Sequence, residues 1–140
     1  DGIVLPGGFG AAKNLSTFAT QGPDCSVDPD VAGILRSMHE SGKPIAALCI
    51  APAVLAALFG PDLHPSITIG TDAGTAQALE KMGAKHRAAQ VTEVVIDTQH
   101  KLVTTPCYMS ATRVREVAEG AENAVRELLK LVEQSAAATR

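Results

Sequence analysis

The sequence predicts an α/β layer fold with a mainly parallel sheet, and three observations predict it. Short apolar, β-rich runs alternate with helical segments along the chain. That alternation builds βαβ units, because parallel strands need crossover connections between them. Of the 140 residues 46% are hydrophobic and 19% charged, the balance of a chain that buries a core. No internal repeat or linker interrupts it, so residues 1–140 read as a single domain.

Each element has a local cause. Gly2-Ile3-Val4-Leu5 reads as a strand, ended by the glycine-rich turn Pro6-Gly7-Gly8-Phe9-Gly10. Ala11 to Thr20 is a short helix or ordered loop, and Gln21 to Val27 a loop. Asp28 then supplies an N-cap and Pro29 the first helical position, where a missing N–H is harmless. Val31, Ile34, Leu35 and Met38 recur at helical spacing, and Gly42 closes this helix before Pro44. Ile45 to Leu48 is a strand, followed by an apolar helix ending near Phe59-Gly60-Pro61. Ile67-Thr68-Ile69 is a short strand, and Asp72 caps a helix through Met82 that Gly83 stops. Val91 to Asp97 and Lys101 to Thr105 form a hairpin through Thr98-Gln99-His100. Two helical segments broken at Gly120 follow. The last carries Val125, Leu128, Leu129 and Val132 on one face, and its alanine-rich tail frays.

The chemistry concentrates in Lys43-Pro44-Ile45-Ala46-Ala47-Leu48-Cys49-Ile50-Ala51-Pro52-Ala53. A strand, a nucleophile and a helix follow one another, with small Ala47 and Ala51 two residues either side of Cys49. That is the small-x-nucleophile-x-small pattern of a nucleophile elbow, where a sharp turn leaves no room for bulky neighbours. Pro52 suits the first turn of the helix. A sulfur at a helix start is favoured as thiolate by the dipole and by free N–H groups. The same run is compatible with an inert, buried cysteine.

Net charge −3 provides no electrostatic footprint for nucleic acid or an anionic membrane surface. Three Phe and one Tyr are too few for base stacking. Cys25, Cys49 and Cys107 are an odd count in no close-spaced motif, which argues for a reducing compartment and against a disulfide scaffold. No apolar run approaches the roughly 18 residues of a membrane span. No pair of histidines has metal-ligand spacing, so neither metal nor cofactor is expected.

The stretch Pro6-Gly7-Gly8-Phe9-Gly10-Ala11-Ala12-Lys13-Asn14-Leu15-Ser16, with Cys49-Ile50-Ala51-Pro52 and Val103-Thr104-Thr105-Pro106, resembles the ElbB-type glyoxalase-like family. That family is similar to the PfpI branch of the class I glutamine amidotransferase-like superfamily. The resemblance covers essentially the whole chain and rests most heavily on its first, long motif. It implies a flavodoxin-like sheet sandwiched by helices, with Cys49 at the carboxyl edge of a central strand, where such folds place their sites. The Gly7-Gly8 turn then lies beside Cys49, and the N–H groups of Gly8 and Ile50 are candidates for an oxyanion hole. Taken alone, the glycines are also compatible with a plain tight turn. The resemblance further implies a homodimer, in the cytoplasm if bacterial and in the mitochondrial matrix if eukaryotic. Complete members begin with additional strand and helix units, so the chain reads as the C-terminal part of the domain and is expected to associate with further polypeptide.

Departures from the superfamily narrow the function. Glutamine-hydrolysing members carry a late His-x-Glu, and Thr104-Thr105-Pro106-Cys107-Tyr108-Met109 has neither residue. Deglycase-like cousins carry a histidine where Gly70-Thr71-Asp72 stands here. The acid that partners the thiolate in the family comes from the N-terminal portion, so no glutamate here is assigned that role. Lys13 and Asn14 are pocket candidates, Lys13 adding positive potential, with a surface lysine and a capping asparagine as the alternative. Cys107 is a second thiol candidate on the same edge, or an inert one. Cys25 is incidental, His39, His64, His86 and His100 read as exposed, and Glu116 with Glu119 as a solvated face. Two functions are carried forward. One is a cofactor-independent enzyme converting a small aldehyde, glyoxal, to glycolate through a Cys49 hemithioacetal. The other is a non-catalytic assembly subunit or redox-responsive partner.

Overall fold

A computed structural model describes residues 1–138. The helices and strands in chain order are β1 (Ile3–Leu5), α1 (Phe9–Lys13), α2 (Phe18–Gln21), α3 (Pro29–Glu40), β2 (Ile45–Leu48), α4 (Pro52–Leu63), β3 (Ser66–Ile67), α5 (Ala73–Lys81), β4 (Lys85–His86), β5 (Val95–Asp97), β6 (Leu102–Thr105) and α6 (Val114–Ala138). Short 3-10 turns occupy Gly22–Asp24 and Cys107–Met109.

The main sheet has the order β1-β2-β6-β5. Its first three strands are parallel, with Ile3 opposite Ile45 and Ile45 opposite Leu102. β5 is antiparallel to β6, Asp97 opposite Leu102, which is the expected hairpin. A separate parallel pair, β3 and β4, is tied to the main sheet by side chains: Ser66 N–H donates to Asp97 Oδ2 (2.8 Å) and Thr68 N–H to Thr104 Oγ1 (3.0 Å).

Alternation along β2 explains the sandwich. Ile45 and Ala47 pack toward Leu35, Val54, Leu55, Leu58 and Phe59 of α3 and α4, while Ala46 and Leu48 pack toward Ala124, Leu128 and Leu131 of α6. Successive strand residues point to opposite faces, so an unbroken apolar run identifies a strand covered on both sides. The fold is therefore a mainly parallel α/β sandwich.

Local chemistry sets most boundaries. Asp28 Oδ1 accepts from the N–H groups of Asp30 (3.0 Å) and Val31 (3.2 Å), and Asp72 Oδ2 from Thr75 N–H (2.8 Å), so both predicted caps form. Other expectations need correction. Gly120 does not break a helix; α6 runs continuously from Val114 to Ala138 with Gly120 buried inside it. A Cβ there would lie 2.9 Å from Val91 O, so this glycine lets backbone approach backbone. The alanine-rich tail continues α6 as far as Ala138, and residues 139 and 140 lie outside the described residues. Pro61 is inside α4, which continues to Leu63 and ends at left-handed His64. Ile34, Val125 and Leu129 are exposed, the inner faces of their helices being Leu35 in α3 and Ala124, Leu128 and Leu131 in α6. Among the described residues, no helix is long and apolar enough to cross a membrane.

Candidate active site

The site begins with the end of β2. Cys49 N–H donates to Thr105 O (3.0 Å), carrying the ladder with β6 one residue past the strand. The backbone then turns sharply: Cys49 has φ 61°, Ala51 N–H returns to Leu48 O (3.0 Å), and α4 starts at Pro52. A left-handed conformation costs an L-residue roughly 1–2 kcal/mol, which the surrounding contacts must hold in place. Ala47 and Ala51 are wholly buried beside it. The elbow expected from the local pattern is present.

The glycine turn after β1 packs against this elbow. Gly7 has φ 90°, and a Cβ on it would lie 2.5 Å from Leu48 O and 2.8 Å from Cys49 Cβ. Gly7 is a buttress beneath the nucleophile, outside the cleft lining. Gly8, at φ 80°, has open space on its Cβ side and borders the cleft. The N–H groups of Gly8 and Ile50 make no hydrogen bond among the described residues, and both residues border the cleft with Cys49.

That cleft has a volume of about 500 Å³. Small Ala12 and Ala19 form part of its wall, and Phe9, Phe18, Tyr108 and Met109 supply its bulk. The Cys49 residue is 8% exposed, whereas Phe9 and Tyr108 are 71% and 68% exposed around it. Three of the four aromatic residues of this chain thus gather at one cysteine. Their scarcity in the sequence was a usable signal, but only the fold brings them together.

Lys13 and Asn14 lie elsewhere. They line another cleft, with Ser16, Thr17 and Asp28. Consecutive helical residues are turned by about 100°, so α1 presents Phe9 and Ala12 to the Cys49 cleft and carries Lys13 away from it.

Cys107 packs in the same buried cluster as Cys49. It also has positive φ (44°), and its thiol faces Val117 O at 3.8 Å. Burial, and then the neighbouring Cys49 sulfur, push the Cys107 thiol above its ordinary pKa. Cys25 is half-buried with its sulfur 3.7 Å from Met82 Sδ. Burial raises its pKa, with the Asp24 charge adding to this and the hydrogen bond to its own backbone opposing it.

Among the described residues, no histidine borders the Cys49 cleft. His64 is exposed as expected and meets Gly83 O at 2.8 Å. The other three are half-buried, contrary to expectation. His39 stacks obliquely on Phe59, ring centroids 5.1 Å apart. His86 Nε2 receives Ile69 N–H (3.3 Å), and burial lowers its pKa despite the nearby Glu80. His100 Nδ1 pairs with Asp97 Oδ2 at 2.9 Å. Burial disfavours the Asp97 carboxylate, yet the bonds from the His100 ring, Ser66 N–H and His100 N–H outweigh it and hold its pKa below the usual range. Glu116 closes the start of α6 by accepting from the N–H groups of Thr112 (2.8 Å) and Arg113 (3.0 Å).

A polar cleft of about 440 Å³, lined in part by His64, Lys85, Arg87 and His100, lies by the β5–β6 turn at the amino end of β6. It is at the opposite sheet edge from Cys49 and contains no nucleophilic thiol. Among the described residues, no group of three or more His, Cys, Asp or Glu side chains is arranged to hold a metal ion.

No family model matches the chain. It is 42% identical over 140 residues to human glutamine amidotransferase-like class 1 domain-containing protein 3, mitochondrial, covering 94% of this chain and 51% of that protein. It is 40% identical over 140 residues to the rat ES1 protein homolog, mitochondrial, covering 94% of this chain and 52% of that one. The chain spans about half the length of these curated relatives. Among solved structures, an isoprenoid biosynthesis protein with an amidotransferase-like domain from Ehrlichia chaffeensis superposes with TM-score 0.85 at 28% identity. That match covers 94% of this chain and 59% of the other. The chain is therefore similar to a glutamine amidotransferase-like class 1 domain-containing protein and to an ES1 protein homolog, and its fold is that of an amidotransferase-like domain.

Proposed function

We propose that this chain carries the nucleophilic half of a cofactor-independent glyoxalase-type site, converting an α-oxoaldehyde to the corresponding α-hydroxy acid. Glyoxal to glycolate is the simplest case. The observation that carries the reading is Cys49 held at φ 61° on a strand-to-helix elbow, at a cleft bordered by Gly8 and Ile50, whose N–H groups make no hydrogen bond among the described residues. The Cys49 sulfur adds to the aldehyde carbon, forming a hemithioacetal whose oxyanion the two N–H groups receive. The hydrogen on that carbon leaves as a proton and returns at the neighbouring carbonyl carbon, leaving a thioester. Water hydrolyses the thioester to the hydroxy acid and frees the thiol. No carboxylate or imidazole borders the cleft among the described residues, so in this chain by itself proton transfer falls to water and turnover is slow.

Further polypeptide belongs to this reading. β1 pairs only with β2 among the described strands, and its other edge supports association with another strand, from a longer protein or a second copy. The relatives' names place those proteins in the mitochondrion, which favours a mitochondrial location, in the matrix on this reading, if the source is eukaryotic; a bacterial source implies the cytoplasm. Glycolate formation from glyoxal, measured beside Cys49→Ala, tests the function. Cys49-dependent product is expected, and equal rates in the two proteins would reject it.

A further inference from the structure

The lining of the Cys49 cleft speaks to the substrate, on the glyoxalase-type reading proposed above. Among the described residues, no Lys, Arg, Asp, Glu or His side chain borders it. The chain has three Phe, one Tyr and no Trp, and Phe9, Phe18 and Tyr108 all stand at this cleft. Phe9 is 71% and Tyr108 68% exposed, so two large ring surfaces face water beside the thiol. Such surface is gathered where something apolar is bound. Glyoxal, with four non-hydrogen atoms and no apolar substituent, touches little of a cleft of about 500 Å³. Lys13, the one cation near the glycine turn that was a pocket candidate, lines another cleft and offers no charge partner for a substrate carboxylate.

We infer that the site selects uncharged α-oxoaldehydes bearing an aryl or bulky alkyl substituent, R–CO–CHO, the substituent lying among Phe9, Phe18, Tyr108 and Met109. The reaction balances as R–CO–CHO plus water giving R–CH(OH)–COOH. The thiol that adds to the aldehyde carbon is returned on hydrolysis, and no external oxidant or reductant takes part. One methylene in an apolar pocket already discriminates by about 10- to 200-fold, so a ring in this open cleft should discriminate by at least about tenfold.

Competitive alkylation of the intact chain tests the ligand class without depending on turnover. Iodoacetamide, N-benzyliodoacetamide and iodoacetate are applied at equal concentration, and each cysteine is mapped by peptide mass. Cys25, outside the cleft, is the internal reference. The benzyl-to-parent labelling ratio at Cys49 should exceed that at Cys25 by about tenfold or more, with iodoacetate disfavoured at Cys49. The exposed-site variants Phe9→Ala and Tyr108→Ala should bring the Cys49 ratio toward that of Cys25. Equal ratios at the two cysteines, or a Cys49 preference untouched by both variants, would overturn the inference. A second measurement compares mandelate formation from phenylglyoxal with glycolate formation from glyoxal. Faster phenylglyoxal turnover supports the inference. Cys49-dependent turnover that favours glyoxal overturns it while leaving the proposed function standing. Apolar labelling preference with no turnover of either aldehyde rejects the function and keeps the ligand class.

Discussion

Replacing Gly7 by alanine should damage this protein more than the same change one residue later. Both positions have positive φ, 90° at Gly7 and 80° at Gly8. Gly8 also has ψ 164°, a region essentially reserved for glycine, where a side chain costs on the order of 1–3 kcal/mol. Its Cβ would meet nothing within 4 Å, so that conformational cost is all Gly8→Ala incurs. At Gly7 the new methyl would stand 2.5 Å from Leu48 O and 2.8 Å from Cys49 Cβ. Both belong to backbone or a β-carbon, and neither can swing aside as a long side chain would. Overpacking adds typically about 1–3 kcal/mol, so Gly7→Ala should lose about 4 kcal/mol against about 2 for Gly8→Ala. Urea denaturation followed by far-UV circular dichroism measures both losses. Because the clash is against the elbow, iodoacetamide labelling of Cys49 should also change several-fold in Gly7→Ala. Equal stability losses in the two variants, with Cys49 labelling unaltered in Gly7→Ala, would refute the packing of the turn beneath the nucleophile.

Two further changes probe the frame around the site. Asp97→Asn should destabilise by about 2–3 kcal/mol at neutral pH, since the buried carboxylate accepts from Ser66 N–H, His100 N–H and the His100 ring. The folded state lowers the Asp97 pKa, so its contribution is present above the ordinary carboxylate range near pH 4 and lost as pH falls through the folded value. Wild type should therefore lose more stability than Asp97→Asn on acidification in denaturation curves, and parallel losses would contradict the assignment. Gly120→Ala in α6 should destabilise by about 1–3 kcal/mol, because its Cβ would lie 2.9 Å from Val91 O. Helix propensity alone predicts a gain of up to about 1 kcal/mol, so a raised melting temperature would show that the close approach to Val91 is unimportant.

What the sequence by itself determined about this protein is whatever a few consecutive residues decide. The covered strand Ile45 to Leu48, the Asp28 and Asp72 caps, the hairpin before Thr105 and the elbow at Cys49 were all legible. In each, the signal lies in a short stretch of consecutive residues: an apolar run, a capping side chain within three residues of its N–H partner, a turn between two β-rich runs, or a nucleophile between small neighbours. Gly120 was misread for the same reason: its local signal is that of a helix breaker, while its role depends on Val91, 29 positions away. His100 was misread although its partner is near in the chain: its ring turns back onto Asp97, whose carboxylate is buried and also accepts from Ser66 N–H of β3. The resemblance implied that the Gly7-Gly8 turn lies beside Cys49. Only the tertiary structure decided that Gly7 packs beneath the nucleophile while Gly8 borders the cleft, that Lys13 turns away from it, and that Phe9, Phe18 and Tyr108 converge on one cleft. Those facts follow from how β1, β2 and β6 stack side by side and from the rotation of α1 about its axis. Adjacency across a sheet joins residues far apart in the chain, and no local pattern encodes which of them will meet.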